Sequence, residues 1–216
     1  MPAKKKPAAK KEGAREGPVE PEHDPRWEQA VTSGVLDFSP ADLPDANTWP
    51  THGALRERLL LSCRTLELPA CHAARDAFLA ELVRLALPEL ARVALPGAPN
   101  LTRIVVAPVV ALPALAELDL TGCPKLGYVF LQCPSLHTLL LDGCAGLSKA
   151  VVYCKRLDVA SLAGCTALGT LLLWSDQLTS LSLLDCPALK KVELRCPALT
   201  DRSGIPSLSY KSGATG

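Results

Sequence analysis

The chain has 216 residues, of which 48% are hydrophobic but only 4% aromatic, so its core must be built mainly from Leu, Val and Ala. A formal net charge of +1 excludes a strongly basic or strongly acidic protein. No apolar stretch reaches the ~18 residues of a membrane span and the N-terminus has no signal-peptide pattern, so we expect a soluble, intracellular protein.

Residues 1–23 are predicted to form a disordered, basic tail. The first eleven contain five lysines and no acid: Lys4, Lys5, Lys6, Lys10 and Lys11. The remainder carries 18 Lys and Arg against 22 Asp and Glu, so attraction to polyanions is expected in this tail and not in the fold. It could serve as a nuclear-localisation signal, an arm for nucleic acid or for an acidic protein surface, or a solubilising segment.

Residues 24–89 are predicted to form an N-terminal cap and longer, helix-containing repeats. The strands of two successive long units are predicted at Leu36–Phe38 and Leu66–Leu68, and helices are predicted at about 51–63 and 71–87. The interval from the second strand to Val93 is slightly shorter than the interval between the two strands, so these units would lead into the shorter repeats that follow.

Residues 90–202 contain a short internal repeat. A unit of the form Leu-x-x-apolar-x-apolar recurs in alternating steps that differ by one position, starting at Leu115, Leu126, Leu136, Leu147, Leu157, Leu168, Leu178 and Leu189, with a truncated copy at Leu199. The strict alternation indicates a 21-residue coil with two strands and two corners. Less regular copies begin at Leu90 and Leu101. Residues 203–216, rich in Ser and Gly, are predicted to be a disordered end.

A second marker stands at a fixed distance before each leucine from Leu126 onward: Cys123, Cys133, Cys144, Cys154, Cys165, Ser175, Cys186 and Cys196. Gly or Pro often adjoins these residues, as expected at corners between strands. Stacked coils would place the first strands, centred near residues 36, 66, 93, 118, 139, 160 and 181, in one continuous parallel sheet. The fold class is therefore α/β leading to mostly β, a solenoid with parallel strands on both sides of its C-terminal coils.

The Gly-Cys-x-x-Leu and Cys-Pro-x-Leu corners resemble those of the leucine-rich-repeat family, in particular the Cys-containing repeats of F-box and leucine-rich-repeat proteins. The resemblance is strongest over residues 115–199. It implies a surface that binds other proteins. The segment from Leu43 to Cys63 begins with the Leu-Pro of an F-box but lacks the rest of that pattern.

The cysteines and the four histidines do not have the spacing of a metal site or catalytic site. There is no Cys-x2-Cys pair, and no phosphate-binding, dinucleotide-binding, nucleophile-elbow or His-Glu-x-x-His motif. We therefore expect small buried thiols that fill the corners, no cofactor and no enzymatic activity.

Outward positions of the two strand sets differ in character. In the first set they are mostly polar, as in Glu117, Asp119, Thr138 and Ser180. The second set combines scarce aromatics with cations and is predicted to bind protein through Tyr128, Phe130, Lys149, Val151, Tyr153, Leu172, Trp174, Lys190, Lys191 and Arg195. The alternative is that twist or another part of the chain covers these residues.

The sequence favours a non-enzymatic interaction or scaffold module within a larger intracellular assembly. The Lys4–Lys11 tail resembles the Lys-Pro-Ala starts of cytoskeletal and axonemal proteins, which implies a cytoplasmic, cytoskeletal or ciliary location. A ubiquitin-ligase substrate adaptor and a nuclear factor using the tail are the alternatives. The expected partners are other proteins, with an acidic partner for the tail, and neither membrane nor nucleic acid is expected.

Overall fold

The computed structural model describes residues 29, 32–37, 58, 62–70, 74–76, 88–107, 112–201 and 205. In these residues the chain winds into a parallel β-solenoid with twelve short strands. The strands are β1 Val35–Asp37, β2 Thr65–Glu67, β3 Arg92–Ala94, β4 Arg103–Val106, β5 Glu117–Asp119, β6 Tyr128–Leu131, β7 Thr138–Leu140, β8 Lys149–Tyr153, β9 Val159–Ser161, β10 Thr170–Trp174, β11 Ser180–Ser182 and β12 Lys191–Arg195.

The strands form two sheets on opposite sides of the solenoid. The first sheet has the order β1-β2-β3-β5-β7-β9-β11, and the second has the order β4-β6-β8-β10-β12. From β3 onward each turn contributes one strand to each sheet, so five turns are closed on both sides. Every strand pairs in parallel with its counterpart in the next turn, as expected when successive coils stack.

The register of the first sheet confirms the predicted repeat. The expected column is present, with Leu36, Leu66, Val93, Leu118, Leu139, Ala160 and Leu181 side by side. The number of residues between paired positions becomes smaller from one pair to the next over the first four pairs. It is the same for the last three pairs. The coils therefore shorten from the N-terminal units to a constant length.

The hydrophobic core lies between the two sheets and runs the length of the solenoid. Strand residues alternate between buried and more exposed positions, as in β10, where Leu171 and Leu173 are fully buried and their neighbours face outward. The leucines that begin the repeat units, from Leu115 to Leu178, are at most 1% exposed. Each turn therefore buries its apolar residues mainly against the turns above and below it.

A column of glycines forms the corners that follow β3, β5, β7 and β9 of the first sheet. Gly97, Gly122, Gly143 and Gly164 all have φ between 68° and 72°, a left-handed conformation that costs other residues energy. Each glycine amide donates a hydrogen bond of 2.7–2.8 Å to a carbonyl of the following turn. The recurrent Gly before Cys is thus a backbone requirement, and Asp185 adopts the same conformation in the last turn.

The cysteines follow the glycines and pack inside the corners, as the spacing predicts. Cys123, Cys144, Cys165 and Cys186 each donate a thiol hydrogen bond of 3.1–3.3 Å to a carbonyl of the preceding turn. The first three are fully buried and Cys186, near the C-terminal end, is half-buried. These thiols tie neighbouring turns together and form no disulfide.

Ser175 interrupts the second cysteine column because its hydroxyl makes bonds that a thiol makes poorly. The side chain is 2% exposed, and its Oγ donates to the carbonyl of Leu157 over 2.7 Å. The same oxygen accepts hydrogen bonds of 3.2 Å from the amides of Gln177 and Leu178. The substitution of Ser for Cys therefore keeps the corner closed with a stronger set of hydrogen bonds.

Several predictions concern residues outside the described part of the chain. Most of 51–63 and 71–87, where helices are predicted, lies there, as do the basic tail and nearly all of 203–216. The mostly β solenoid with strands on both sides is confirmed, whereas the helical repeats and the domain boundaries remain predictions.

Candidate interaction surface

The outer face of the second sheet brings together the aromatic and basic residues that the sequence pattern singled out. We call this surface the aromatic-basic face and define it as the outward residues of β4, β6, β8, β10 and β12 together with Lys190. Because paired strands are in register, these residues form rows that run along the solenoid, across the strands. A central apolar row is flanked by two rows that contain aromatic rings and cations.

The central row consists of Val105, Phe130, Val151, Leu172 and, at its C-terminal end, Glu193. Val105 is 42% exposed, whereas Val151 is only 5% exposed although it points outward. Four apolar side chains on adjacent strands make a continuous apolar stripe about 14 Å long, since parallel strands lie about 4.8 Å apart.

The first flanking row places a tyrosine between two cations. Tyr128 lies beside Arg103 on one neighbouring strand and Lys149 on the other. The Arg103 guanidinium carbon is 5.6 Å, and the Lys149 Nζ 5.9 Å, from the centre of the Tyr128 ring. Both distances lie within the range of cation–π attraction, which holds the cations over the strand surface.

The second flanking row is a chain of contacting rings that ends in an arginine. Tyr153 packs edge-on against Phe130, with ring centres 6.0 Å apart, and against Trp174 at 4.5 Å. The Arg195 guanidinium carbon lies 4.4 Å from the Trp174 ring centre. Trp174 remains 36% exposed, so the stacking fixes its orientation while leaving much of the ring in contact with solvent.

Further charged residues lie at the C-terminal end of this face. Lys190 precedes β12, and Lys191 begins it; both are exposed. Lys191 pairs with Glu193 over 3.0 Å across the outer surface of the strand. This exposed ion pair contributes little to stability.

Nine of the ten predicted protein-binding residues are outward residues of the second-sheet strands, and the tenth, Lys190, immediately precedes β12. The sequence interpretation missed Arg103 and Val105, which extend the face by one strand. They occupy the third and fifth positions of the irregular unit that begins at Leu101, the same positions as Tyr128 and Phe130 in the next unit. Extending the repeat frame one coil upstream would have identified them.

The outer face of the first sheet has a different chemistry. Arg92 forms ion pairs with Glu67 on one neighbouring strand and Glu117 on the other. Asp119 accepts a hydrogen bond from the Thr121 amide, and Asp142 accepts one from the Ala163 amide over 2.7 Å. These charged side chains therefore already form ion pairs or hydrogen bonds within the chain.

Two of the buried thiols, one in each cysteine column, are held in the protonated form by burial. Burial raises the pKa of Cys165 to about 12 and that of Cys196 to about 11, so both remain protonated near neutral pH. Among the residues that the structure describes, no group of three or more His, Cys, Asp or Glu side chains is arranged to hold a metal ion. No helix in that part of the chain has the length and apolar character needed to cross a bilayer.

Comparison with known proteins gives an informative match. No family model matches the chain. Over 114 residues the chain is 49% identical to a protein of Chlamydomonas reinhardtii named Dynein regulatory complex subunit 6, an alignment that covers 53% of this chain and 44% of that protein. The chain therefore spans less than half the length of this curated relative, to which it is closely similar.

Proposed function

We propose that this chain is a non-enzymatic, leucine-rich-repeat subunit of an axonemal assembly of the dynein regulatory type. The observation that carries the proposal is the 49% identity over 114 residues to Dynein regulatory complex subunit 6 of Chlamydomonas reinhardtii. The repeating coils, the Gly-Cys corners and the two parallel sheets support the assignment to the leucine-rich-repeat family.

The aromatic-basic face is the proposed docking surface of this subunit. Protein interfaces are enriched in Tyr, Trp, Phe and Arg, and their energetically important residues are often rigid aromatic side chains. Tyr153 and Trp174 are held by ring contacts and Arg195 lies over Trp174, so little side-chain freedom is lost when a partner covers them. Trp174 and Val105 expose apolar surface that a partner would bury.

The basic tail would act as a second, weaker contact. Its first eleven residues carry five positive charges, Lys4, Lys5, Lys6, Lys10 and Lys11, and no acid, and we propose that they bind an acidic protein surface. The similarity to a dynein regulatory complex subunit favours a cytoplasmic, ciliary location and a scaffold role over the substrate-adaptor alternative. No comparison supports the nuclear alternative.

The proposal is tested with the full chain, tagged and expressed in a ciliated cell whose axonemes are then isolated after removal of the membrane with detergent. We expect the chain in the axonemal fraction and Trp174→Ala largely in the detergent-soluble fraction. The matched control is Val159→Ala, because Val159 is 38% exposed but lies on the first sheet.

Both variants are first checked by circular dichroism, so that loss of folding is not taken for loss of binding. Recovery of the unaltered chain only in the soluble fraction would overturn the axonemal assignment. Equal displacement of Trp174→Ala and Val159→Ala would instead show that the aromatic-basic face has no special role in assembly.

A further inference from the structure

We propose that the partner segment bound by the aromatic-basic face is an acidic amphipathic helix, whose apolar stripe contacts the central row and whose Asp and Glu residues meet the flanking cations. This inference rests on the proposed docking function of the face and specifies the chemistry of the partner. It is argued from the charge distribution and from the spacing of the rows.

Charge separates the two sides of the solenoid although the whole chain is nearly neutral. The aromatic-basic face carries five cations, Arg103, Lys149, Lys190, Lys191 and Arg195, against one carboxylate, Glu193, and Asp76 lies beside the start of β4. Asp76 accepts hydrogen bonds from the amides of Thr102 and Arg103, and Glu193 pairs with Lys191. The face therefore has a positive potential that favours an acidic partner.

The spacing of the rows fits a helix better than an extended strand. The flanking rows lie four positions apart along each strand, which is about 13 Å at about 3.3 Å per residue. A helix with its side chains is about 10–12 Å wide, so it would fill the space over the central row with its polar edges near Arg103, Lys149 and Arg195. About ten helical residues would cover the apolar stripe from Val105 to Leu172.

A second copy of the chain is the main rival occupant, because the first sheet carries several carboxylates. Those of Glu67 and Glu117 are already paired with Arg92, and Asp142 binds the Ser161 hydroxyl and the Ala163 amide. Such a contact would also join unlike faces of successive copies, so that the copies would either close into a ring or extend as an open-ended fibre. The face is thus better matched to a separate acidic segment.

The test uses two fluorescein-labelled synthetic peptides of about 18 residues that share one leucine stripe at helical spacing, one flanked by Glu and the other by Lys. Their binding to the full chain is measured by fluorescence anisotropy. In the face variant, Lys149→Glu is combined with Arg195→Glu. In the matched control, Lys155→Glu is combined with Arg156→Glu, since these cations are exposed at the corner that follows β8, outside the rows that define the face.

We expect the Glu peptide to bind at least about tenfold more tightly than the Lys peptide, and the face variant to lose about tenfold in affinity. The control variant should bind like the unaltered chain, and added salt should weaken binding. Equal binding of both peptides, or equal effects of the two double variants, would overturn the inference. Folding of each variant is verified by circular dichroism.

The result also separates this inference from the proposed function. If the Glu peptide fails to bind while Trp174→Ala still displaces the chain from axonemes, the acidic partner is wrong and the docking face stands. If sedimentation shows that the chain associates with itself and that the face variant abolishes this association, the occupant is a second copy and the inference is overturned.

Discussion

Two adjacent leucines of β10 provide a test of the solenoid within a single strand. Leu171 points into the core and is fully buried between neighbouring turns, whereas Leu172 points outward on the aromatic-basic face and is half-buried. Replacing each with Ala changes the same side chain in the same strand. The two variants therefore differ almost solely in the direction of the side chain.

The expected losses of stability differ because only one replacement opens a cavity. Leu171 lies beside Ala150 and Val192 in the neighbouring turns, and the small Ala150 offers few atoms that could move into the vacated space. We expect Leu171→Ala to lower the free energy of unfolding by about 3–5 kcal/mol. Leu172→Ala removes partly exposed surface and should cost about 1 kcal/mol.

Urea denaturation followed by circular dichroism measures both changes. Because turns of a solenoid can unfold separately, the unaltered chain must first give coincident transitions by dichroism and by fluorescence. Equal losses for the two variants, or a larger loss for Leu172→Ala, would refute the alternation of inward and outward residues on which the fold and the face both depend.

Three further predictions concern the corners. Ser175→Ala should lower the free energy of unfolding, measured by urea denaturation, by about 1–3 kcal/mol, because it leaves buried backbone groups without their hydroxyl partner. Ser175→Cys should lower it less. Gly143→Ala should cost about 1 kcal/mol because φ is +68°, while Gly169→Ala, at ordinary contact distances and without a positive φ, should be nearly neutral. Burial raises the pKa of Cys165 to about 12, so stability should fall as pH rises from about 9 toward 12, and fall less in Cys165→Ala.

The pH prediction follows from the protons bound in each state. Above about pH 9 the unfolded chain loses the thiol proton that the folded chain keeps, so added base favours unfolding. An identical pH dependence in the unaltered chain and Cys165→Ala would contradict it. A loss of stability in Ser175→Ala no larger than that in Ser175→Cys would contradict the role assigned to the hydroxyl. An equal loss of stability in Gly169→Ala and Gly143→Ala would contradict the role assigned to the left-handed corner.

The repeat frame was sufficient to predict most of the β architecture. Leucines in strictly alternating steps determine which side chains turn inward, and stacking then sets the register, as the pairing of Leu139 with Ala160 and of Ala160 with Leu181 confirms. The same frame placed Tyr153 and Trp174 on one outer face. A repetitive pattern makes long-range pairing predictable because each unit repeats the contacts of its neighbour.

Details that depend on particular side chains could not be read from the frame. Val151 has an outward position but is 5% exposed, which depends on the packing of the larger side chains around it. The ring contacts of Tyr153 and the hydroxyl network of Ser175 depend on rotamers and on backbone amides of the same corner. Arg103, by contrast, could have been predicted, because it has the same position in the unit that begins at Leu101 as Tyr128 has in the next unit.

Photo-crosslinking in assembled axonemes tests most directly whether the aromatic-basic face docks a partner. Benzoylphenylalanine is placed at the position of Leu172 on the second sheet or, as a control, at that of Thr138 on the first sheet, and the adducts are identified by mass spectrometry after irradiation. The account predicts adducts to another axonemal protein from position 172 and few from position 138. Adducts from position 138 alone would contradict the account and assign docking to the opposite face.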